Sequence, residues 1–315
     1  MKGIKIAVLG AGGIGRACLD VAAKKKELKV VAICDSSGYL YSAKGICVKD
    51  LKRFRPSKDP IEDIIKLKDK YDGIFVALPN LPNEFIPGVV KRFIKADYSG
   101  VFTCALKRTS AMKLMMKLSP DLRRNQNVYI AGCGATPGLL SAAAVLAAQS
   151  FTKIEDVSIW WGVGISNWDA YRSTIREDIA HLPGYTVDRA KKMTDKEVEQ
   201  LLSKRDGKLV LHDMEHADDI LLKKAGVVDL LSKVSVGGVM DTRHAKKPVS
   251  TTMTLTGITF EGKRSSHKFI LGDETSMAAN VIGPALGYMK RAIWLKKHKI
   301  YGMFGSTEFM PMVVR

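Results

Sequence analysis

A chain of 315 residues has room for two domains, or for one core with a large elaboration. Its 46% hydrophobic and 26% charged residues are ordinary for a globular protein, and every apolar run breaks well before the ~20 residues of a transmembrane helix. The formal net charge of +18 is spread over most segments, with no docking motif or stacking aromatics, so it predicts solubility and steering of acidic ligands rather than nucleic-acid binding.

The opening "IKIAVLGAGGIGRACLDVAAKK" predicts a buried strand, a glycine loop and an amphipathic helix. Its β-branched start, with no small-residue cleavage site behind it, reads as a strand and not as a signal peptide. "LKVVAICD" predicts a second apolar strand ending in Asp35, followed by a polar turn and a helical stretch near "IEDIIKLKDK". The strand "DGIFVALP", the helix "NEFIPGVVKRFIKA", the strand "YSGVFTC", a helix at "SAMKLMMKL" and the strand "NVYIAG" continue the alternation. Strands and helices alternating at this spacing predict an α/β fold with a Rossmann-type, doubly wound parallel sheet. Beyond residue 150 the pattern changes. "DVSIWWGVGI", "GKLVLH", "KVSVGGVMD" and "STTMTLTGITFEGKRSSHKFIL" are strand-rich, with two charged helices expected between them. "TSMAANVIGPALGYMKRAIWLKK" predicts a closing helix. The expected division is a dinucleotide-binding domain over residues 1–134 plus 275–315, and a second, α+β substrate and dimerisation domain over 135–274.

Gly10, Gly12 and Gly15 form G-x-G-x-x-G between the first strand and helix, with Gly13 and Ile14 carrying the loop into the helix. The first glycine permits a tight turn, the second lets a pyrophosphate reach the backbone, and the third lets helix and strand pack closely. The helix N-terminus then holds the diphosphate on unpaired N–H groups. Asp35 closes the second strand 20 residues after Gly15, where the ribose hydroxyls of a dinucleotide should lie. An acid there repels a 2′-phosphate, which favours NAD over NADP, while Ser36 and Ser37 could soften that choice.

Ligands of open α/β sheets bind beyond the carboxyl ends of the strands. Leu78 and Pro79 in "ALPN", and Cys104 in "TCALKR", should therefore flank the nicotinamide. Lys107 is the ionisable group there that could donate a proton or hold a carboxylate, and a solvated surface lysine is the alternative. "GCGATPG" (132–138) follows the last strand of the series; Gly134 would let cofactor approach, with Thr136 and Pro137 facing substrate. Thr136 is equally an N-cap candidate, with Pro137 in the first helical turn.

In the second domain Arg172 and Arg176 are four residues apart and share a helix face, where their forks could clamp a substrate carboxylate or pair with Asp169, Glu177 or Asp178. Asn167 precedes them and could line the same site. "HDMEH" (212–216) has the H-x-x-E-H spacing of some zinc enzymes, but His212 directly follows a strand, so no metal is expected. Five scattered cysteines without C-x-x-C spacing argue for a reducing, cytoplasmic setting.

The order of elements, the turn "ATPG", the segment "DVSIWWGVGIS" with "RSTIREDIAHLPGYT", and the stretches "LGDETSMAANVIGPA" and "YGMFGSTEFMPM" resemble meso-diaminopimelate dehydrogenases and, more loosely, saccharopine dehydrogenase-like reductases. "VVAICDSSGYLYSAKG" is similar to the second strand and turn of homoserine dehydrogenases. The resemblance implies a homodimeric oxidoreductase. Diaminopimelate dehydrogenases carry aspartates that hold the reacting amine where this chain has Thr136 and "CALK", which implies a different substrate. The expected activity is NAD(P)-dependent oxidoreduction of an amino acid or related small carboxylate. A catalytically silent NAD-binding regulator is the alternative.

Overall fold

The computed structural model describes residues 3–80, 82–166, 168–272 and 276–315. The chain divides into two compact units, one of residues 1–139 with 278–315 and one of residues 140–277.

The first unit holds β1 (Ile4–Leu9), β2 (Leu28–Cys34), β3 (Gly38–Tyr41), β4 (Arg55–Pro56), β5 (Gly73–Val76), β6 (Val101–Cys104), β7 (Val128–Ala131) and the final strand of the chain, β13 (Gly302–Gly305). They form one sheet in the order β13-β7-β6-β5-β1-β2-β3-β4. From β13 to β2 every neighbouring pair is parallel, as the doubly wound expectation requires. The core strands are buried on both faces, which is why they read as continuous apolar runs rather than as alternation. On one face the helix Gly13–Ala23 packs Cys18, Leu19 and Ala22, and the long helix Met277–Lys297 packs Ile282, Leu286, Tyr288 and Met289, onto Val8, Phe75 and Ile130. Elsewhere in the unit, Phe93 of the helix Phe85–Lys95 meets Phe102 edge-on at 5.7 Å, and Phe102 lies 5.8 Å from Tyr129.

Two features depart from the sequence reading. The stretch after Asp35 is not only a turn: β3 folds back antiparallel on β2, and β4 extends that edge. The tail adds β13 beside β7, tied by parallel pairing of Gly302–Gly305 with Val128–Ala131.

The second unit has a five-stranded mixed sheet of β8 (Phe151–Gly164), β9 (Lys208–Leu211), β10 (Val234–Asp241), β11 (Thr251–Thr259) and β12 (Arg264–Leu271), in the order β12-β11-β8-β10-β9. Alternating burial along β11 leaves Met253 and Leu255 inside and Thr252 and Thr254 partly outside, the mark of a sheet with one covered face. In place of the two charged helices expected, four α-helices lie between β8 and β10 among the described residues: Arg172–Ile179, Val187–Lys192, Asp195–Lys204 and Asp218–Lys224.

Candidate dinucleotide site

β1 brings Gly10 to the carboxyl edge of the sheet, where the strand order reverses between β2 on one side and β5 on the other. The three motif glycines have different physical reasons. Gly10 has φ +105°, and a Cβ there would stand 2.4 Å from the Ala77 carbonyl oxygen. A Cβ on Gly15 would stand 1.9 Å from the Gly10 carbonyl oxygen, so helix and strand can pack only without one. Gly12 is unlike both. Its φ of −71° and ψ of −166° suit any residue, and a Cβ there meets nothing within 4 Å. The fold does not require glycine at this position; the open space above it is what a side chain would fill.

Gly12 is also the N-cap of the helix Gly13–Ala23, which has no side-chain cap and no acidic residue in its first turn. Its leading N–H groups therefore lack a capping carboxylate or hydroxyl, and the helix dipole favours an anion there. Ile14 packs against the core beneath and orients the turn. The Gly10 N–H donates to the Cys34 carbonyl at 2.8 Å, which locks the glycine loop to the end of β2. There Asp35 is half-buried, and its Oδ1 accepts from the Ser37 N–H at 2.8 Å and the Ser37 hydroxyl at 2.6 Å. Oδ2 has no hydrogen bond among the described residues, and Ser36 is exposed on the turn. These residues fit a dinucleotide: the open space over Gly12 has room for a pyrophosphate, and Asp35 carries an acceptor a ribose hydroxyl could use.

The neighbouring strand ends supply the rest of this edge. Leu78 is half-buried and Pro79 exposed after β5. The Lys107 N–H donates to Asn80 Oδ1 at 3.3 Å, joining the loop after β5 to the loop after β6 and holding the half-buried Lys107 there. Arg108 is buried, donates from Nε to Asn83 Oδ1 at 3.2 Å, and starts the helix Thr109–Met116, whose first turn has no acid. Lys107 and Arg108 thus set two basic side chains at the start of a helix whose first turn holds no acid. Asn80 and Arg108 lie in "ALPN" and "TCALKR", where spacing alone assigns them no role, because only the folded loops bring them to Lys107 and Asn83.

Several expected contacts take a different form. The Cys104 thiol is core, fully covered, and burial pushes it up to about 12, so no thiolate faces a ligand. The Gly134 N–H donates to the Pro137 carbonyl at 2.8 Å and its own carbonyl accepts from Leu139, so both backbone groups serve the turn. Gly138 closes that turn at φ +143°, where a Cβ would strike the Gly134 carbonyl. The helix begins at Leu139, so Thr136 is not its N-cap and Pro137 is not in its first turn; the Thr136–Pro137 peptide is cis and Pro137 is buried.

In the second unit Arg172 and Arg176 do share a carboxylate, but it is the protein's own. Arg172 Nη1 lies 2.5 Å and Arg176 Nη2 2.6 Å from Asp195, at the start of the helix Asp195–Lys204. Arg172 also binds Asp169 at 2.8 Å, and Arg176 donates to the Met193 carbonyl at 3.0 Å. The clamp is filled by a residue distant in sequence, which corrects its reading as a substrate clamp. Asn167 lies outside the described residues. The histidines of "HDMEH" also separate: His212 follows β9, while buried His216 places Nδ1 2.8 Å from Asp218, whose other oxygen meets Ser141. Among the described residues no group of three or more His, Cys, Asp or Glu is arranged to hold a metal, and no helix is long and apolar enough to cross a membrane.

The chain is 41% identical, over 352 aligned positions covering 99% of both sequences, to the (S)-8-amino-7-oxononanoate synthase BioU of Haloferax mediterranei. The chain belongs to the BioU family. Residues 1–97 of this BioU-family chain also match the Glutamate/Leucine/Phenylalanine/Valine dehydrogenase family model, which spans the glycine loop, β2 and β5. Among solved structures, the diaminopimelate dehydrogenase of C. glutamicum in complex with DAP covers 100% of this chain and 95% of its own, with a TM-score of 0.61 at 18% identity. An engineered D-amino acid dehydrogenase bound to NADP+ gives a TM-score of 0.59 at 16% identity, with the same coverage. The resemblance to meso-diaminopimelate dehydrogenase thus holds for the fold of the BioU family.

Proposed function

We propose that the chain is an NAD(P)-dependent enzyme acting on an amino-oxo carboxylate of the (S)-8-amino-7-oxononanoate class, with hydride exchanged at a carbon bearing nitrogen or oxygen. The observation that carries this reading is the full-length identity of 41% to the Haloferax protein. That protein's name specifies a product with a carboxylate at one end of its chain and, toward the other, a ketone and an amine on adjacent carbons. This falls within the amino acids and related carboxylates expected from sequence. A synthase name and a dehydrogenase-type fold are compatible when the ketone or the amine is set in a hydride step.

The open face at Gly12 and the uncapped helix behind it support a nicotinamide dinucleotide, which supplies hydride exchange when bound. The chain's own contribution is orientation and charge. Asp35, pre-set by Ser37, accepts from ribose hydroxyls. Lys107, positioned by Asn80, holds a proton or the substrate carboxylate at the reacting edge, and Arg108 adds positive potential beside it. The five free cysteines suit a reducing, cytoplasmic setting, and a homodimer is the assembly we infer from the resemblance.

The test incubates the purified chain with NAD+, NADH, NADP+ or NADPH and 8-amino-7-oxononanoate, its amino-alcohol counterpart or its diamine counterpart. Nicotinamide absorbance and product masses are followed together. A change in cofactor redox state with at least one partner is expected; none with any combination sinks the reading.

A further inference from the structure

The first unit carries a second ligand-sized feature, at the opposite edge of its sheet. A cavity of about 490 Å³ opens at the amino ends of β5 and β6, beside Asp72 and Gly100, which precede those strands. That volume lies within the usual range for small-molecule sites. Its charged lining is Lys68, Lys296 and Lys297 with Asp69, Asp72 and Asp97. The remainder is Ile293, Ser99, Gly100 and the rings of Tyr71 and Tyr98, which lie 5.6 Å apart and are buried at the cavity's base. Both tyrosine hydroxyls are turned away to backbone carbonyls, of Ile64 and Val101.

The arrangement of the charges is informative. Three ammonium groups and three carboxylates surround one cavity, yet no lysine–aspartate pair among them comes within 4.0 Å. Several are held by backbone instead. Lys68 donates to the Ala96 carbonyl, Lys296 to the Ser99 and Gln126 carbonyls, and Asp72 accepts the Lys5 N–H at 2.8 Å. Each ammonium has three donors, so Lys68 and Lys296 keep N–H capacity beyond these bonds. A simple anion entering the cavity meets three carboxylates, and a simple cation meets three ammonium groups. A ligand carrying both charges on one small frame can satisfy both sets.

We propose that this cavity binds a zwitterionic amino acid with an apolar side chain, its carboxylate toward the lysines, its ammonium toward the aspartates and its side chain against Ile293. Its place at the amino edge of the sheet separates it from the glycine loop at the carboxyl edge, so occupancy is regulatory or stabilising rather than catalytic. It does not rest on the function proposed above.

The test uses three molecules with one carbon skeleton: L-leucine, 4-methylpentanoate, which lacks the ammonium, and 3-methylbutylamine, which lacks the carboxylate. Each is titrated into the full chain by ligand-observed NMR. Leucine is expected to bind, with either single-charge analogue weaker by up to about fivefold, the factor for losing one solvent-exposed charge pair at its upper end. Lys297→Gln and Asp69→Asn should each weaken leucine several-fold and leave NADH affinity unchanged. Absence of leucine binding overturns the proposal, as does equal binding of all three molecules. Leucine binding unaltered in both variants also overturns it, since it would locate the amino acid elsewhere.

Discussion

Gly12→Val separates the fold's requirements from the ligand's. At Gly12 the backbone is already extended and a Cβ meets nothing within 4 Å, so valine enters without collision. Two small terms act on stability in opposite directions. Losing glycine removes unfolded-state freedom, a gain of about 0.4–1 kcal/mol. Valine is a poorer N-cap, a loss of about 1 kcal/mol in a position where glycine costs only tenths. They nearly cancel, and the melting temperature should stay within about 4 °C of wild type. Binding has no such cancellation. The branched side chain occupies the space a pyrophosphate needs over the first helical N–H groups, and loss of that seat should weaken NADH by at least about 100-fold, or ~2.7 kcal/mol. Gly15→Ala is the contrast: its methyl would stand 1.9 Å from the Gly10 carbonyl oxygen, so the protein itself should be destabilised, by about 3 kcal/mol. Thermal melts and NADH fluorescence titrations on both variants provide the measurement. Wild-type NADH affinity in a folded Gly12→Val protein would refute the placement of the cofactor on this loop.

Asp35→Ser should narrow or reverse a preference for NAD(H) over NADP(H), because it removes a ribose acceptor and the repulsion of a 2′-phosphate; a wild-type preference for NADPH by about tenfold would defeat that role for Asp35. Asn80→Ala releases the loop that carries Lys107, so turnover or product yield should fall while NADH affinity and melting temperature change little; unaltered yield would detach Asn80 from the reacting edge. Arg176→Ala should cost about 1–2 kcal/mol of stability through its lost bonds to the Met193 carbonyl and leave NADH binding intact, whereas a selective loss of substrate binding in calorimetry would restore this arginine to the site. Hydrogen bonding from Arg176, with Arg172 alongside, holds the Asp195 carboxyl below its usual value. That group therefore stabilises the fold above its unfolded pKa, and its contribution is lost as pH falls through the lowered one. Asp195→Asn should flatten the acid limb of a stability–pH curve, and an unchanged limb would show that the pair contributes nothing.

The cofactor half was legible because its signals are local. Apolar runs of strand length, helices between them and a glycine loop joining the first pair all lie within short windows, so periodicity and spacing were enough to read β1, β2, β5, β6, β7 and the helices they alternate with. Gly10, Gly12 and Gly15 were legible as a motif, but their separate reasons were not: the carbonyls that crowd Gly10 and Gly15 come from Ala77 and from the loop itself once folded, and only Gly12 is left open. Where a partner is distant in sequence, the tertiary structure decided. The spacing of Arg172 and Arg176 correctly put two guanidinium groups on one face, yet Asp195, held there by the next helices, is the carboxylate they share. β13 pairs with β7 across more than half the chain, and four residues of a glycine-flanked tail carry no periodicity to announce it. Thr136 and Pro137 looked like a helix start because a cap and a closed turn use the same residue types. Which one forms depends on whether the Gly134 N–H finds the Pro137 carbonyl, a choice made by folding and not by composition.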